Sequence, residues 1–242
     1  MGTTVLLLHA FPVGPEMWEP QLGALASYQV KTPKLLGRGE SIDGWAEQLL
    51  AETEGDLVVA GASMGGYCAL AVAGRAPERI RGLVLAGSKA SADDLEARER
   101  RNRSIALVRE KGPLALWETM RGYALGANAD PAQVERANEI VASQNVEGLV
   151  QELVAMIGRA DTTDVVRSLA CPFLAVAGEL DEGVVAESKQ LVGLAADGEL
   201  VVVPGASHLV SFQRPDLFNP VLQRFLERCG AWSSRGRHSR FE

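Results

Sequence analysis

Ser63 stands in the pentapeptide Gly61-Ala62-Ser63-Met64-Gly65, which follows the apolar run Leu57–Ala60 and precedes a helical pattern. A serine at the centre of a G-x-S-x-G turn between a strand and a helix is held in a strained conformation with its hydroxyl projecting above the strand end. Bulky neighbours would clash in so sharp a turn, and Gly61 and Gly65 remove the clash; Gly66 lets the helix pack close. No lysine follows the turn as in a phosphate-cradling loop, and no G-x-G-x-x-G is present. A serine hydroxyl attacks a carbonyl only when a base takes its proton. The chain has three histidines, His9, His208 and His238. His208 follows the apolar run Leu200–Val203 through Pro204-Gly205-Ala206-Ser207 and is the expected base, whereas His9 ends the first strand and His238 lies in an unpatterned tail. The base needs an acceptor that holds its tautomer and stabilises its cation. Asp181 follows Phe173–Ala177 by a short turn and is the expected partner, with Glu179 and Glu182 as rivals. An oxyanion needs two aimed donors. The Met64 N–H, just after the nucleophile, and the Phe11 N–H, in the loop after the first strand, are expected to supply them.

The elements that must position these groups are legible as short apolar runs. Val5–Leu8, Leu57–Ala60, Leu83–Ala86, Phe173–Ala177 and Leu200–Val203 read as strands buried on both faces, with Tyr28–Thr32 a weaker sixth. Helical spacing lies between them: Trp18, Leu22 and Leu25; Ile42, Trp45, Ala46, Leu49 and Leu50 behind the N-cap Ser41; and Met64 to Arg75, ending at Ala76-Pro77. The alternation predicts an α/β chain, a mostly parallel sheet of about six strands with helices on both faces. Residues 91–164 break the rhythm. Asp93–Glu110 is a charged helix pattern, Gly112-Pro113 starts another, Asp130-Pro131 opens a third, and Leu149, Val150, Leu153, Val154 and Ile157 mark a fourth. A crossover needs one helix, so this segment is expected to be a helical cap over one sheet edge. The expected division is a core of 1–90 and 165–228, a cap of 91–164, and a tail of 229–242. The cap is expected to control substrate preference and to leave the geometry of Ser63, Asp181 and His208 alone. Trp117, Met120, Tyr123 and Leu125 are its candidates for lining a substrate pocket, with core packing as the competing role. Arg100, Arg101 and Arg103 are expected to form a solvated helix face.

Composition sets outer limits. The 242 residues are 47% hydrophobic and 23% charged, as in ordinary globular chains. The net charge of −7 argues against a nucleic-acid partner. Cys68, Cys171 and Cys229 are too few and too scattered for a disulfide framework, which favours a reducing, cytoplasmic setting. No His/Cys cluster has metal-ligand spacing, so no metal is expected. Val5–Leu8 is too short for a signal or a membrane span.

Several of these stretches together resemble the α/β-hydrolase superfamily, in particular its capped, cofactor-free serine hydrolases such as carboxylesterases, 3-oxoadipate enol-lactonases and perhydrolase-type haloperoxidases. The resemblance is carried by Leu6-Leu7-Leu8-His9-Ala10-Phe11-Pro12 with Met17-Trp18, by Gly37-Arg38-Gly39-Glu40-Ser41, by the turn around Ser63, by Ala76-Pro77-Glu78-Arg79, and by the segments ending in Asp181 and His208. It covers nearly the whole chain. The order serine, aspartate, histidine is also that superfamily's order. The resemblance implies hydrolysis of a carboxylic ester or related acyl bond through an acyl-enzyme, without a cofactor, and the likeness to enol-lactonases implies that Arg100, Arg101 and Arg103 meet a substrate carboxylate. A small ester or lactone is the expected substrate. It also implies a sheet ordered 4-3-5-6-7-8 in the family's count, lacking the first two strands. Ala10 replaces a usual glycine and Lys34 a common aspartate; Ala10 is the change that would shift the oxyanion loop. The alternatives on the same residues are C–C bond hydrolysis, perhydrolysis, a lyase reaction, and a ligand sensor without turnover.

Overall fold

A computed structural model of the chain describes residues 2–127 and 129–230. His238 and all but the first two residues of the 229–242 tail therefore lie outside the described residues. Side chains along each strand alternate between two cores, as the pleat requires. β1 (Thr4–Leu8) sends Leu6 and Leu8 to one side and Val5 and Leu7 to the other. After a short 3₁₀ turn and the four-residue α1 (Glu19–Leu22), the chain forms β2 (Gln29–Lys31) and α2 (Ile42–Ala51), where the Ser41 side chain accepts the Gly44 N–H. β3 (Leu57–Ala62), α3 (Met64–Arg75) and β4 (Ile80–Ala86) follow. The first core takes Leu57 and Val59 with α2 and α3; the second takes Val58 and Ala60 with Trp18, Phe218 and Leu222 from the other side.

Among the described residues, the elements between β4 and the next strand are all helices. α4 (Leu95–Leu125) is two helical stretches broken at Gly112, whose φ of 83° takes it out of the helical region, and Pro113 restarts the second. α5 (Pro131–Ala142) and α6 (Val146–Gly158) begin on the side chains of Asp130 and Asn145, each accepting a first-turn N–H. α7 (Thr163–Ser168) leads back to β5 (Phe173–Gly178), followed by α8 (Glu182–Leu194), β6 (Gly198–Val203), α9 (Val210–Gln213) and α10 (Pro215–Arg228). The six described strands pair in parallel in the order β2-β1-β3-β4-β5-β6, with helices on both faces and a helical cap between β4 and β5. With β1 counted as the family's third strand, this is the order the resemblance implies.

One strand departs from the double burial expected of it. β6 is half-exposed over most of its length, with Val202 38% exposed, because it is the last strand of the sheet and pairs on one side only. The register brings strand ends together: Leu8 lies opposite Gly61, Ala62 opposite Ala86, and Gly178 opposite Val203. The loops after β1, β3, β5 and β6 therefore emerge along one edge, where open parallel sheets bind their ligands.

Candidate active site

Ser63 has φ 47° and ψ −111°, the one described non-glycine residue with positive φ. Such a backbone costs on the order of 1–3 kcal/mol and persists only where the surroundings hold it. Here the Ser63 N–H donates to Ala86 O at 2.9 Å, and the Ser63 carbonyl accepts Gly66 N–H at 2.9 Å and Ser88 Oγ at 2.7 Å. The flanking glycines are required by close approach. A Cβ on Gly61 would sit 2.2 Å from the Gly65 carbonyl oxygen, and one on Gly65 would sit 2.1 Å from that of Leu8. Gly66 abuts the Ser88 side chain and approaches Leu85 of β4, so it admits both the loop after β4 and the sheet itself.

The edge brings the three residues expected from the sequence into one chain of contacts. Ser63 Oγ is 2.8 Å from His208 Nε2, and His208 Nδ1 is 2.7 Å from Asp181 Oδ2. Asp181 opens α8 and is buried. Burial alone would raise its carboxyl; the hydrogen bond and charge of His208, with the Tyr123 hydrogen bond, outweigh it and hold the group below the usual range. Neither rival acid reaches His208: Glu179 accepts the Gly205 N–H at 3.0 Å, and Glu182 is exposed on α8. Phe11 lines the cavity above Ser63, and Met64 is the first residue of α3, where N–H groups have no intrahelical acceptor. Among the described residues no backbone carbonyl accepts either N–H. Ala10 is tied into the loop by its own backbone. Its N–H donates to Met17 Sδ at 3.1 Å and its carbonyl accepts Val13 N–H at 3.2 Å.

His9 is excluded as the base by its own contacts. It is buried, donates from Nδ1 to Ala10 O at 3.0 Å, and accepts Leu35 N–H on Nε2 at 2.9 Å. Burial, aided by the nearby Lys34 and Arg38 charges, pulls its pKa from 6.5 down to about 4. An unfolded chain therefore binds a proton here that the folded chain refuses. The stabilisation is complete above pH 6.5 and is lost as pH falls towards 4, to a total of about 3 kcal/mol. Buried Glu152, whose carboxyl burial pushes well above its ordinary value, contributes with the opposite sign. The difference between wild type and His9→Asn isolates the histidine: urea midpoints should fall between pH 6.5 and 4 more steeply in the wild type. Parallel pH dependences would contradict the assignment.

A cavity of about 480 Å³ opens over Ser63 and His208, roofed by the cap. Of the four cap residues expected in a pocket, Met120 and Tyr123 line it. Trp117 and Leu125 do not: both are packed in the second core, and Trp117 Nε1 donates to Asn138 Oδ1 at 2.9 Å, tying α4 to α5. Arg100 and Arg101 line the cavity, whereas Arg103 is exposed and outside it. The wall holds groups that no local pattern marks, among them Lys89, Asp93 and Glu187. Asp93 accepts both Arg101 and Arg159, and the Arg159 guanidinium lies 3.9 Å over the Tyr67 ring. One cap residue touches two of the three, since Tyr123 Oη contacts both Asp181 and His208. Among the described residues no group of three His, Cys, Asp or Glu stands close enough to hold a metal ion, and no helix is long and apolar enough to cross a membrane.

A family model described as the alpha/beta hydrolase family matches residues 5–221. The chain belongs to the alpha/beta hydrolase family. Within it, this chain is 29% identical to a thermophilic esterase from Thermogutta terrifontis, solved with malate bound; the match covers 95% of this chain and 91% of that one, with a TM-score of 0.86. It is 28% identical over 172 residues to 3-oxoadipate enol-lactonase 2 of Acinetobacter baylyi, covering 69% of this chain and 62% of that protein. It is also 38% identical over 91 residues to a pimeloyl-[acyl-carrier protein] methyl ester esterase of Aromatoleum aromaticum, covering 35% of this chain. The chain spans only 36% of that esterase's length in the match.

Proposed function

We propose that this hydrolase cleaves a small carboxylic ester or lactone through an acyl-enzyme on Ser63. The observation that carries the reading is the relay from Ser63 Oγ to His208 Nε2 at 2.8 Å and from His208 Nδ1 to Asp181 at 2.7 Å, built on a strained turn. In this reading His208 takes the serine proton as Ser63 attacks the carbonyl carbon, then returns it to the departing alkoxide. Water repeats the sequence on the acyl-enzyme and frees the acid. Asp181 keeps His208 in the tautomer with Nδ1–H and balances the transient imidazolium. The Phe11 and Met64 N–H groups receive the oxyanion. No cofactor enters any step.

The cavity volume of about 480 Å³ suits a small molecule. The esterases and the enol-lactonase among its relatives support ester or lactone chemistry. We assign residues 91–164 as the cap that selects the substrate, over a core of 1–90 and 165–228. The scattered cysteines favour a cytoplasmic setting, and neither nucleic acid nor membrane is a partner in this reading.

A fluorophosphonate probe should label the protein at Ser63 alone, and Ser63→Ala should abolish both labelling and turnover of p-nitrophenyl acetate and butyrate. Label mapped to another serine would refute the mechanism. A single burst without turnover would point to a ligand sensor. Because Lys89 and Arg100 stand in the cavity wall, the ester and lactone panel should include acids with a second carboxylate.

A further inference from the structure

The acid and the base are not held by the sheet edge alone. Asp181 Oδ2 accepts the His208 Nδ1–H at 2.7 Å and also the Tyr123 hydroxyl at 3.0 Å, while Tyr123 Oη lies 2.9 Å from His208 Nδ1. The three polar atoms close a triangle. The phenol ring lies against the imidazole, with centroids 4.6 Å apart and planes tilted by 33°. Two groups on the cap thus act on His208: a hydroxyl that shares its acceptor, and a ring face that limits its rotation.

Tyr123 is itself fixed. It sits in the last turn of α4, where carbonyls have no intrahelical donor. Those carbonyls are taken by the segment that carries the base. Ser207 Oγ donates to Tyr123 O at 2.8 Å, Leu209 N–H to Ala124 O at 2.9 Å, and Gln213 Nε2 to Leu125 O. His208 is therefore clamped on both flanks by the end of a cap helix. Tyr123 is 53% exposed, but its hydroxyl faces Asp181; desolvation there, with the Asp181 charge next, raises the phenol above its ordinary pKa, so the hydroxyl stays protonated and able to donate.

We propose that Tyr123 is a positioning residue for the Asp181–His208 pair, its hydroxyl holding the carboxylate and imidazole in the one arrangement that points Nε2 at Ser63. The proposal rests on the serine-hydrolase reading above and extends it: the cap supplies part of the catalytic framework as well as the roof. The hydroxyl leaves Asp181 Oδ2 a defined direction for the His208 N–H. Without it, the carboxylate can rotate and the imidazole follows. The cost falls on the proton transfer and not on substrate binding, because the hydroxyl is spent on Asp181 and His208.

Tyr123→Phe tests this, since it keeps the ring and deletes only the hydroxyl. Loss of a hydrogen bond to a charged group should lower kcat about tenfold while KM stays within about twofold. The second-order rate of Ser63 labelling by a fluorophosphonate should fall by a similar factor. The His208 Nδ1–H proton resonance should move, a signature that general loosening of the cap would not produce. Wild-type kcat, labelling rate and resonance in Tyr123→Phe would overturn the proposal. A raised KM at unchanged kcat would also overturn it and make Tyr123 a substrate contact. Should the wild type turn over no ester and take no label, the hydrolase reading fails on its own, and the resonance still decides whether Tyr123 holds His208.

Discussion

Asp181→Asn is expected to lower kcat/KM for an activated ester by about 10⁴-fold while leaving the protein folded. The figure is the one known for the equivalent change in a serine protease, taken over here on shared geometry. Asp181 Oδ2 lies 2.7 Å from His208 Nδ1 and accepts its hydrogen. An amide in that place can offer an N–H instead, which favours the tautomer with the proton on Nε2 and removes the lone pair that Ser63 Oγ needs. It also withdraws the negative charge that balances the imidazolium. Glu179→Gln and Glu182→Gln should change the rate by less than about threefold, because Glu179 is engaged with the Gly205 amide and Glu182 faces solvent. Steady-state kinetics on the three variants, with circular dichroism to verify folding, checks this. A near-silent Asp181→Asn beside a large loss in either glutamate variant would show that the acid has been misassigned.

Asp93→Asn should cost stability on the order of 3–5 kcal/mol, with activity affected second. The Asp93 side chain is 1% exposed and joins Arg159, 3% exposed, to Arg101 on α4. Burial would raise the Asp93 carboxyl, but the Arg101 hydrogen bond and the Arg101, Arg159 and Lys89 charges outweigh it and keep the group ionised below its ordinary range. Removing that charge strands two guanidiniums, one of them fully buried. Arg159 also donates to Ser91 O at 2.6 Å, so the corner where the cap leaves β4 loosens with it. For a chain of this length the loss corresponds to a fall in Tm of roughly 10 °C. Arg100→Gln, which breaks only the exposed pair with Glu96, should change stability by less than about 1 kcal/mol. Thermal and urea unfolding measure both. A cost below about 1 kcal/mol for Asp93→Asn would mean that the buried cluster rearranges around the loss.

The sequence by itself determines the sheet and the elbow. Apolar runs bounded by glycine, histidine or proline locate β1, β3, β4 and β5, because a strand buried between two helical layers has no face on which to place polar residues; the run Leu200–Val203 locates β6 as well, although that strand is half-exposed. The turn at Ser63 is legible because its strain demands glycine on both sides, a purely local requirement. Asp181 and His208 are legible because each closes a strand–turn unit at the same sheet edge. The caps Ser41 and Asp130 and the break at Gly112-Pro113 belong to the same class. What tertiary structure alone decides is everything that depends on how the cap is seated. The rotation of α4 sends Met120 and Tyr123 to the cavity and turns Trp117 and Leu125 into the core, although all four sit on one helix with similar apolar character. The exposure of β6 follows from its place at the end of the sheet, which no feature of its own residues marks. Tyr123 meets Asp181 and His208, and Asp93 meets Arg159, across 58, 85 and 66 positions of chain. Residues that far apart in sequence become neighbours only when the whole fold closes, because neither partner imposes a local conformation that would mark the other.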